Sequence, residues 1–369
     1  MTTDVGTDDL AVAVDGRDRP IGLAVIGAGY WGPNLARNAH QSDALRLMAV
    51  VDRDPAAARK LAYRYAGVIA SADLEGVLAD PGIDAVAVAT PAASHHAVAS
   101  AAIAAGKHVL VEKPLAATYA EGLSLVEAAE RRGVVLMCDH TYCYTPVVQR
   151  IREITHAGEL GDIQFVDSVR INLGLVQPDV DVLWDLAPHD LAILDHVLPQ
   201  RLRPLAVSAQ AADPIGAGQA CVGYLTLHLP GGAIAHAHVN WLSPVKVRTT
   251  LIGGSRRTLV WDDLNPSQRL SVYDRGVDLT DTTDTTGSAD ADDRHRRQVS
   301  YRSGDMTAPA LPEREALQGV MTEFSECIRT GRAPVTDGRS GLRLLDILEA
   351  ATASLNTGGT AVSLREGGR

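Results

Sequence analysis

Lysine is scarce in this chain. Lys60, Lys107, Lys113 and Lys246 are the only lysines among 34 basic residues in a length of 369. Each retained lysine is therefore of interest, because a compact ammonium and a planar guanidinium do different chemistry. No apolar run reaches the roughly 20 residues needed to cross a bilayer, so no membrane partner is expected. No cluster of basic residues is present to track a phosphate backbone. With a net charge of −11, nucleic acid is not an expected partner either. Cysteine is limited to Cys138, Cys143, Cys221 and Cys327. None forms a C-x-x-C pair and no histidine lies at zinc-finger spacing, so the four read as reduced and structural, with no metal. The acidic start, Met1 to Asp9, has no apolar core and does not read as a secretory leader. The expected compartment is the cytoplasm. A composition 46% hydrophobic and 21% charged suits a globular protein of two domains.

What is there begins with Val25-Ile26-Gly27-Ala28-Gly29-Tyr30-Trp31-Gly32. An apolar strand ends in glycines at G-x-G-x-x-G spacing, and the helical stretch from Pro33 follows. Gly27 permits the tight turn, Gly29 lets backbone approach a pyrophosphate, and Gly32 lets the helix pack close to the strand. The helix N-terminus would face the phosphates, with Tyr30 and Trp31 beside them. A second strand, Leu45 to Val51, ends in Asp52. A carboxylate there accepts both hydroxyls of an adenine ribose and repels a 2′-phosphate, which favours NAD over NADP. Arg53 pulls the other way, since it can stack on adenine or pair with a 2′-phosphate.

Residues 1–19 are polar and read as a disordered tail. From Ile21, apolar strands alternate with helical pattern, at Gly22–Ile26, Leu45–Val51, Ala85–Ala89, Val109–Val111 and Val134–Cys138. This predicts an α/β domain over residues 20–140, a doubly wound parallel sheet of Rossmann type. Pro146–His156 reads as a helix. The longer alternating segments Ile163–Leu173, Ala220–Leu229, Ala233–Leu242, Val245–Ile252 and Arg257–Trp261 follow, with Pro230-Gly231-Gly232 and Gly253-Gly254 as turns. They predict an α+β domain over residues 141–369, for substrate binding and oligomerisation, on a large open-faced and mostly antiparallel sheet. Asp278–Asp293 reads as an acidic mobile loop. Glu313–Thr330 and Gly338–Asn356 read as amphipathic helices.

Three further segments carry chemistry: Thr90-Pro91-Ala92-Ala93-Ser94-His95, Glu112-Lys113-Pro114, and Asp185-Leu186-Ala187-Pro188-His189. Together with the glycine turn they resemble the Gfo/Idh/MocA family of nicotinamide-dependent sugar oxidoreductases. The resemblance runs from about Ile21 to Leu364 and is nearest to members acting on nucleotide-linked or antibiotic-linked sugars. It implies that Thr90 and Pro91 lie beside the dinucleotide, with His95 at a helix start as a positioning residue or cofactor contact. It implies that Glu112 and Lys113 sit at the nicotinamide end, before a cis peptide to Pro114. A charged pair ending a buried strand is costly unless used or neutralised, which agrees. Asp185 and His189, at i and i+4, would share one helix face. Pro188 is tolerated in a first helical turn, so the helix is expected to begin near Asp185. The stretch Cys138 to Pro146 resembles the family's H-x-x-x-x-N-P segment, with Thr145 in place of asparagine. Tyr142 and Tyr144 are candidate substrate contacts there, with core packing as the alternative. Arg170 and Asn172 should face the cleft from one strand, and Asn240, Trp241, Lys246 and Arg248 lie on neighbouring strands.

The expected reaction is hydride transfer between a secondary alcohol or ketone of a sugar (a nucleotide sugar, aminosugar, aminoglycoside or cyclitol) and NAD. His189 acts as general base, Lys113 stabilises the alkoxide, and Asp185 orients the histidine or binds a hydroxyl. Two rival readings are a glycoside-cleaving enzyme with transient oxidation and a non-catalytic dinucleotide-binding regulator. An open sheet face is expected to be covered in a homodimer or homotetramer.

Overall fold

The computed structural model describes residues 19–177, 180–281 and 297–365. The tail expected over residues 1–19 lies almost wholly outside these, as does most of the acidic Asp278–Asp293 segment.

The first half builds β1 (Ile21–Ile26), α1 (Gly32–His40), β2 (Leu45–Val51), α2 (Pro55–Ala62), β3 (Ile69–Ser71), α3 (Leu74–Ala79), β4 (Ala85–Val88), α4 (His95–Ala104), β5 (His108–Glu112), α5 (Tyr119–Arg132) and β6 (Leu136–Asp139). Its six parallel strands run in the order β3-β2-β1-β4-β5-β6. Strand order reverses between β1 and β4, which opens a crevice at their carboxyl ends. Every residue of β1 and β4 is buried, as expected for strands with helices on both faces. Helix ends are fixed by local chemistry. Asp54 caps α2 through Ala56 N, and Thr118 caps α5 through Glu121 N, while Gly133 closes α5 in the left-handed region.

The second half builds α6 (Pro146–His156), β7 (Ile163–Leu173), α7 (Val182–Val197), β8 (Ala206–Ala212), β9 (Val222–His228), β10 (Ile234–Asn240), β11 (Leu242–Gly254), β12 (Thr258–Asp262), β13 (Leu270–Asp281), β14 (Arg297–Thr307), α8 (Ala316–Thr330), α9 (Gly338–Asn356) and β15 (Val362–Ser363). The nine-stranded sheet runs β14-β13-β12-β11-β7-β10-β9-β8-β15. Among the described residues of this sheet, only β7 and β10 are parallel neighbours. Along β10, Ala235, Ala237 and Val239 are buried, and Ile234, His236 and His238 alternate with them on the far face. α7 and α9 cover the buried face, and α9 also packs on α5 and β6 of the parallel sheet. Among the described residues no helix is long and apolar enough to cross a membrane.

Three expectations need correction. Pro188 does not mark a first turn: α7 begins at Val182, with Pro188 well inside it. Asp181 caps the helix by accepting from Trp184 N at 2.9 Å, Val182 N bonds Ala220 O at 3.0 Å, and Val182 and Leu183 are buried. Capping and burial offset the bond that proline cannot donate, together with the strain it imposes. Gly253 and Gly254 belong to β11, and the turn falls on the next residues, with Gly254 N bonded to Arg257 O. Strands β3, β8, β13, β14 and β15 lie where the sequence predicts none. Two of these, β3 and β8, are short or rich in alanine and carry little alternation, and Asp278 lies on β13 rather than in a loop.

Candidate active site

The glycine turn joins β1 to α1 at the crevice. Gly27 has φ +104°, and a Cβ there would meet the Ala89 carbonyl oxygen at 2.6 Å. A Cβ on Gly32 would lie 2.0 Å from the Gly27 carbonyl oxygen, so the helix start requires glycine. Around Gly29 no atom lies within 4 Å of a Cβ position, which leaves an open cradle on the backbone. Asp52 ties this turn to β2. Its Oδ2 accepts from Ala28 N at 2.7 Å and its Oδ1 from Asp54 N at 2.9 Å. The carboxylate remains partly exposed, Arg53 beside it is exposed, and Tyr30 projects into solvent stacked against Trp31.

Thr90 and Pro91 follow β4 at the same edge. The Thr90 hydroxyl oxygen is buried without a partner, as is the Trp31 indole nitrogen. His95, read as a positioning residue or a cofactor contact, is buried, and its two ring nitrogens lie 2.8 Å from the carbonyl oxygens of Pro114 and Thr90. Burial lowers its pKa against those two bonds. His95 thus clamps the loop after β4 to the loop after β5, and both ring nitrogens are engaged inside the protein.

The Lys113–Pro114 peptide is cis. Lys113 crosses to the second half of the chain, where its Nζ lies 2.9 Å from both Asp185 Oδ1 and the Asp185 carbonyl oxygen. The other carboxylate oxygen of Asp185 accepts from Trp241 Nε1 at 3.2 Å. One turn along α7, His189 is partly exposed and meets the edge of the Tyr142 ring at 5.2 Å. Burial, then the positive charges of Lys113 and Arg170, hold its pKa well below the usual histidine range. Such an environment favours the unprotonated imidazole, the form a general base requires.

Tyr142 is fixed from two sides. The Arg170 guanidinium lies over its ring at 4.6 Å, and Arg248 Nη1 donates to its hydroxyl at 2.7 Å. Arg170, read as a substrate contact, is buried and holds Asp190 through Nη2 at 2.8 Å and Nε at 3.1 Å. Burial alone would lower its pKa, but the Asp190 charge and hydrogen bonds raise it. Arg170 therefore supports Tyr142 from behind. Asn172 is half-buried near the end of β7 and Lys246 is exposed on β11. Trp241 is buried against Asp185, the Asn240 side chain accepts from Leu242 N, and the buried Tyr144 hydroxyl bonds Thr336. Thr145, where the family has asparagine, caps α6.

Two residues of this site carry no role in the sequence reading. Asp139 and His140 are buried at the end of β6, and both ring nitrogens of His140 lack a partner. Burial pushes the His140 pKa down to about 4. The available signals were a polar residue ending an apolar strand, for Asp139, and the histidine position of the H-x-x-x-x-N-P segment, for His140. Glu112 pairs in register with Asp139, and burial raises its carboxyl well above the usual range, aided by the Asp139 charge.

Residues 21–140 match the oxidoreductase family, NAD-binding Rossmann fold, and residues 148–260 match the GFO/IDH/MocA C-terminal domain. D-apiose dehydrogenase of Paraburkholderia graminis is 25% identical over 91% of this chain and 88% of its own. A dTDP-3,4-didehydro-2,6-dideoxy-alpha-D-glucose 3-reductase of Saccharopolyspora spinosa is 27% identical over 93% and 99%. Among solved structures, GenD2 from gentamicin A biosynthesis, in complex with NAD, superposes with a TM-score of 0.76 at 26% identity, over 94% of this chain and 97% of that one.

Proposed function

The chain belongs to the GFO/IDH/MocA family of NAD(P)-dependent oxidoreductases acting on CH–OH groups, and we propose that it oxidises a secondary alcohol of a sugar or cyclitol with NAD. One observation carries the reading. His189 stands one helical turn from Asp185, and Asp185 holds Lys113, the residue that follows β5 at the carboxyl edge of the parallel sheet.

The residues at the crevice fit the cofactor. The open backbone at Gly29 and the unpartnered Thr90 hydroxyl are suited to a polar ligand. Gly27, Gly29 and Gly32, with Tyr30 and Trp31, would hold the pyrophosphate. Asp52 and Arg53 would hold the adenosine end, with Asp52 favouring NAD over NADP. Thr90, Pro91, Glu112 and Lys113 would flank the nicotinamide. When bound, NAD supplies the hydride acceptor.

The protein's own groups manage the proton. Lys113 donates to the alcohol oxygen and stabilises the negative charge that develops there. His189 accepts the hydroxyl proton on a ring nitrogen, and Tyr142 holds the ring in place. Asp185 aims Lys113 through its carboxylate and its carbonyl oxygen. Asn172 and the exposed part of Tyr142 line the sugar side. In the reverse direction the same histidine returns the proton to a ketone.

The names of the Saccharopolyspora reductase and of GenD2 support a nucleotide-linked or antibiotic-linked sugar as substrate. Four buried free cysteines suit a cytoplasmic setting. The outward face of the nine-stranded sheet, with Tyr224, Ile234 and His236 part-exposed, supports a homodimer or homotetramer, to be checked by light scattering.

The direct test mixes purified protein with NAD or NADP and a panel of nucleotide sugars, aminoglycosides, free aminosugars and inositols. Reduced nicotinamide should accumulate with one class of substrate, faster with NAD. A panel that is silent by absorbance and by product mass rejects the reading.

A further inference from the structure

Glu112 and Asp139 end adjacent parallel strands and pair directly in register. Asp139 is buried and Glu112 is part-buried. Each carboxyl has one oxygen supplied with a donor. Glu112 Oε2 accepts from Lys113 N at 3.2 Å, and Asp139 Oδ1 accepts from Thr141 Oγ1 at 2.8 Å. The remaining oxygens, Glu112 Oε1 and Asp139 Oδ2, are buried without any donor. The register sets the two carboxyls side by side, and the Asp139 charge adds to burial in raising the Glu112 carboxyl. Two buried like charges side by side are costly, and a proton held between them removes the repulsion and gives the two bare oxygens a hydrogen bond.

We propose that Glu112 and Asp139 hold a single proton between them and act as one fixed negative charge, which favours the oxidised, cationic nicotinamide over the reduced, neutral one. The charge role rests on the nicotinamide reading above. Among the described residues Lys113 is the one cation acting on this pair, and it lowers the Glu112 carboxyl only in part. The Lys113 ammonium is matched by Asp185. His140, the next residue on the chain, is held neutral by burial. Trp31 and Thr141 contribute only neutral dipoles, and the buried Cys138 thiol stays protonated. An uncompensated charge at low dielectric acts on an approaching cation and leaves a neutral ring almost unaffected. Asp139 is thus a positioning residue that acts through Glu112.

Two variants separate charge from shape. D139N keeps one carboxylate, hydrogen-bonded to an amide, and so keeps the charge. E112Q/D139N is nearly isosteric and carries none. Equilibrium binding of NAD+ and NADH is measured by calorimetry for each protein. The ratio of the NAD+ to the NADH dissociation constant should stay near wild type in D139N and rise about tenfold in the double variant. An unchanged ratio in a double variant that binds both forms overturns the charge role. Infrared spectroscopy of the unliganded wild type at neutral pH should show a protonated-carboxyl stretch that disappears in D139N. Its absence from the wild type overturns the shared proton, whatever the variants do. Wild-type protein that binds neither cofactor form overturns the nicotinamide reading and the charge role with it, and the infrared band still decides the shared proton.

Discussion

Lys113 is held by Asp185 through two unlike acceptors, a carboxylate oxygen and the main-chain carbonyl, each 2.9 Å from the ammonium. The carbonyl remains when the side chain is changed. Lys113→Met should therefore lower turnover by at least about 100-fold, and Asp185→Asn by less. Initial rates at saturating NAD and sugar, with circular dichroism as the folding control, make the comparison. Wild-type turnover in Lys113→Met would remove the lysine from the mechanism.

His189 is expected to behave as a base that stays neutral in acid. Its pKa is pushed down by burial, then by Lys113 and Arg170. For alcohol oxidation the neutral form is the active one. kcat/KM should therefore hold steady as pH falls through about 6.5, the ordinary histidine value, and drop only below it. His189→Ala should lose at least about 100-fold in turnover. A pH profile that breaks at the ordinary value would contradict the electrostatic account.

Arg170 and Asp190 form a buried pair with little access to water. Arg170→Met leaves Asp190 charged and alone, at a cost of about 3–5 kcal/mol. Arg170→Met/Asp190→Leu should recover much of that loss. Urea unfolding of the two variants decides the matter, and equal midpoints would show that the pair does not act as a unit.

His140 sets an acid-dependent stability. Its folded-state pKa of about 4 lies below the unfolded value of about 6.5. Between those values the unfolded chain takes up a proton that the folded one refuses, so stability falls as pH falls through this window. The slope approaches about 1.4 kcal/mol per pH unit. Glu112 works in the opposite sense, because its raised pKa lets the folded state keep a proton that the unfolded state releases as pH rises. The informative quantity is therefore the difference from His140→Asn, which should gain on wild type with every step of acidification across the window. Parallel pH curves for the two proteins would show that His140 is not held neutral.

The chemistry in the sequence was legible where it is local. The glycine turn, Glu112-Lys113-Pro114 and the Asp185–His189 spacing each lie within one short segment, and each lands at the crevice. What depends on register was hidden. Arg170 reads as a cleft residue until α7 brings Asp190 against it, 20 positions later. Asp139 reads as a polar strand end until β6 pairs with β5 and sets it beside Glu112. Pro188 misled because proline rules concern the backbone alone, and the cap at Asp181 and the burial of Val182 lie outside them. β8 escaped notice because Ala206–Ala212 has too little side-chain contrast to show a period of two.

The last long helix, α9, touches α5 and β6 on one side and α7 and β8 on the other. Leu342 and Leu345 complete the cluster that holds Leu115 and Leu125 of the parallel-sheet half. That half therefore borrows part of its interior from residues more than 200 positions downstream. Cutting the chain at residue 140 would not release a self-sufficient nucleotide-binding module. It would release a sheet with an apolar scar, and the two pieces should regain solubility only when expressed together.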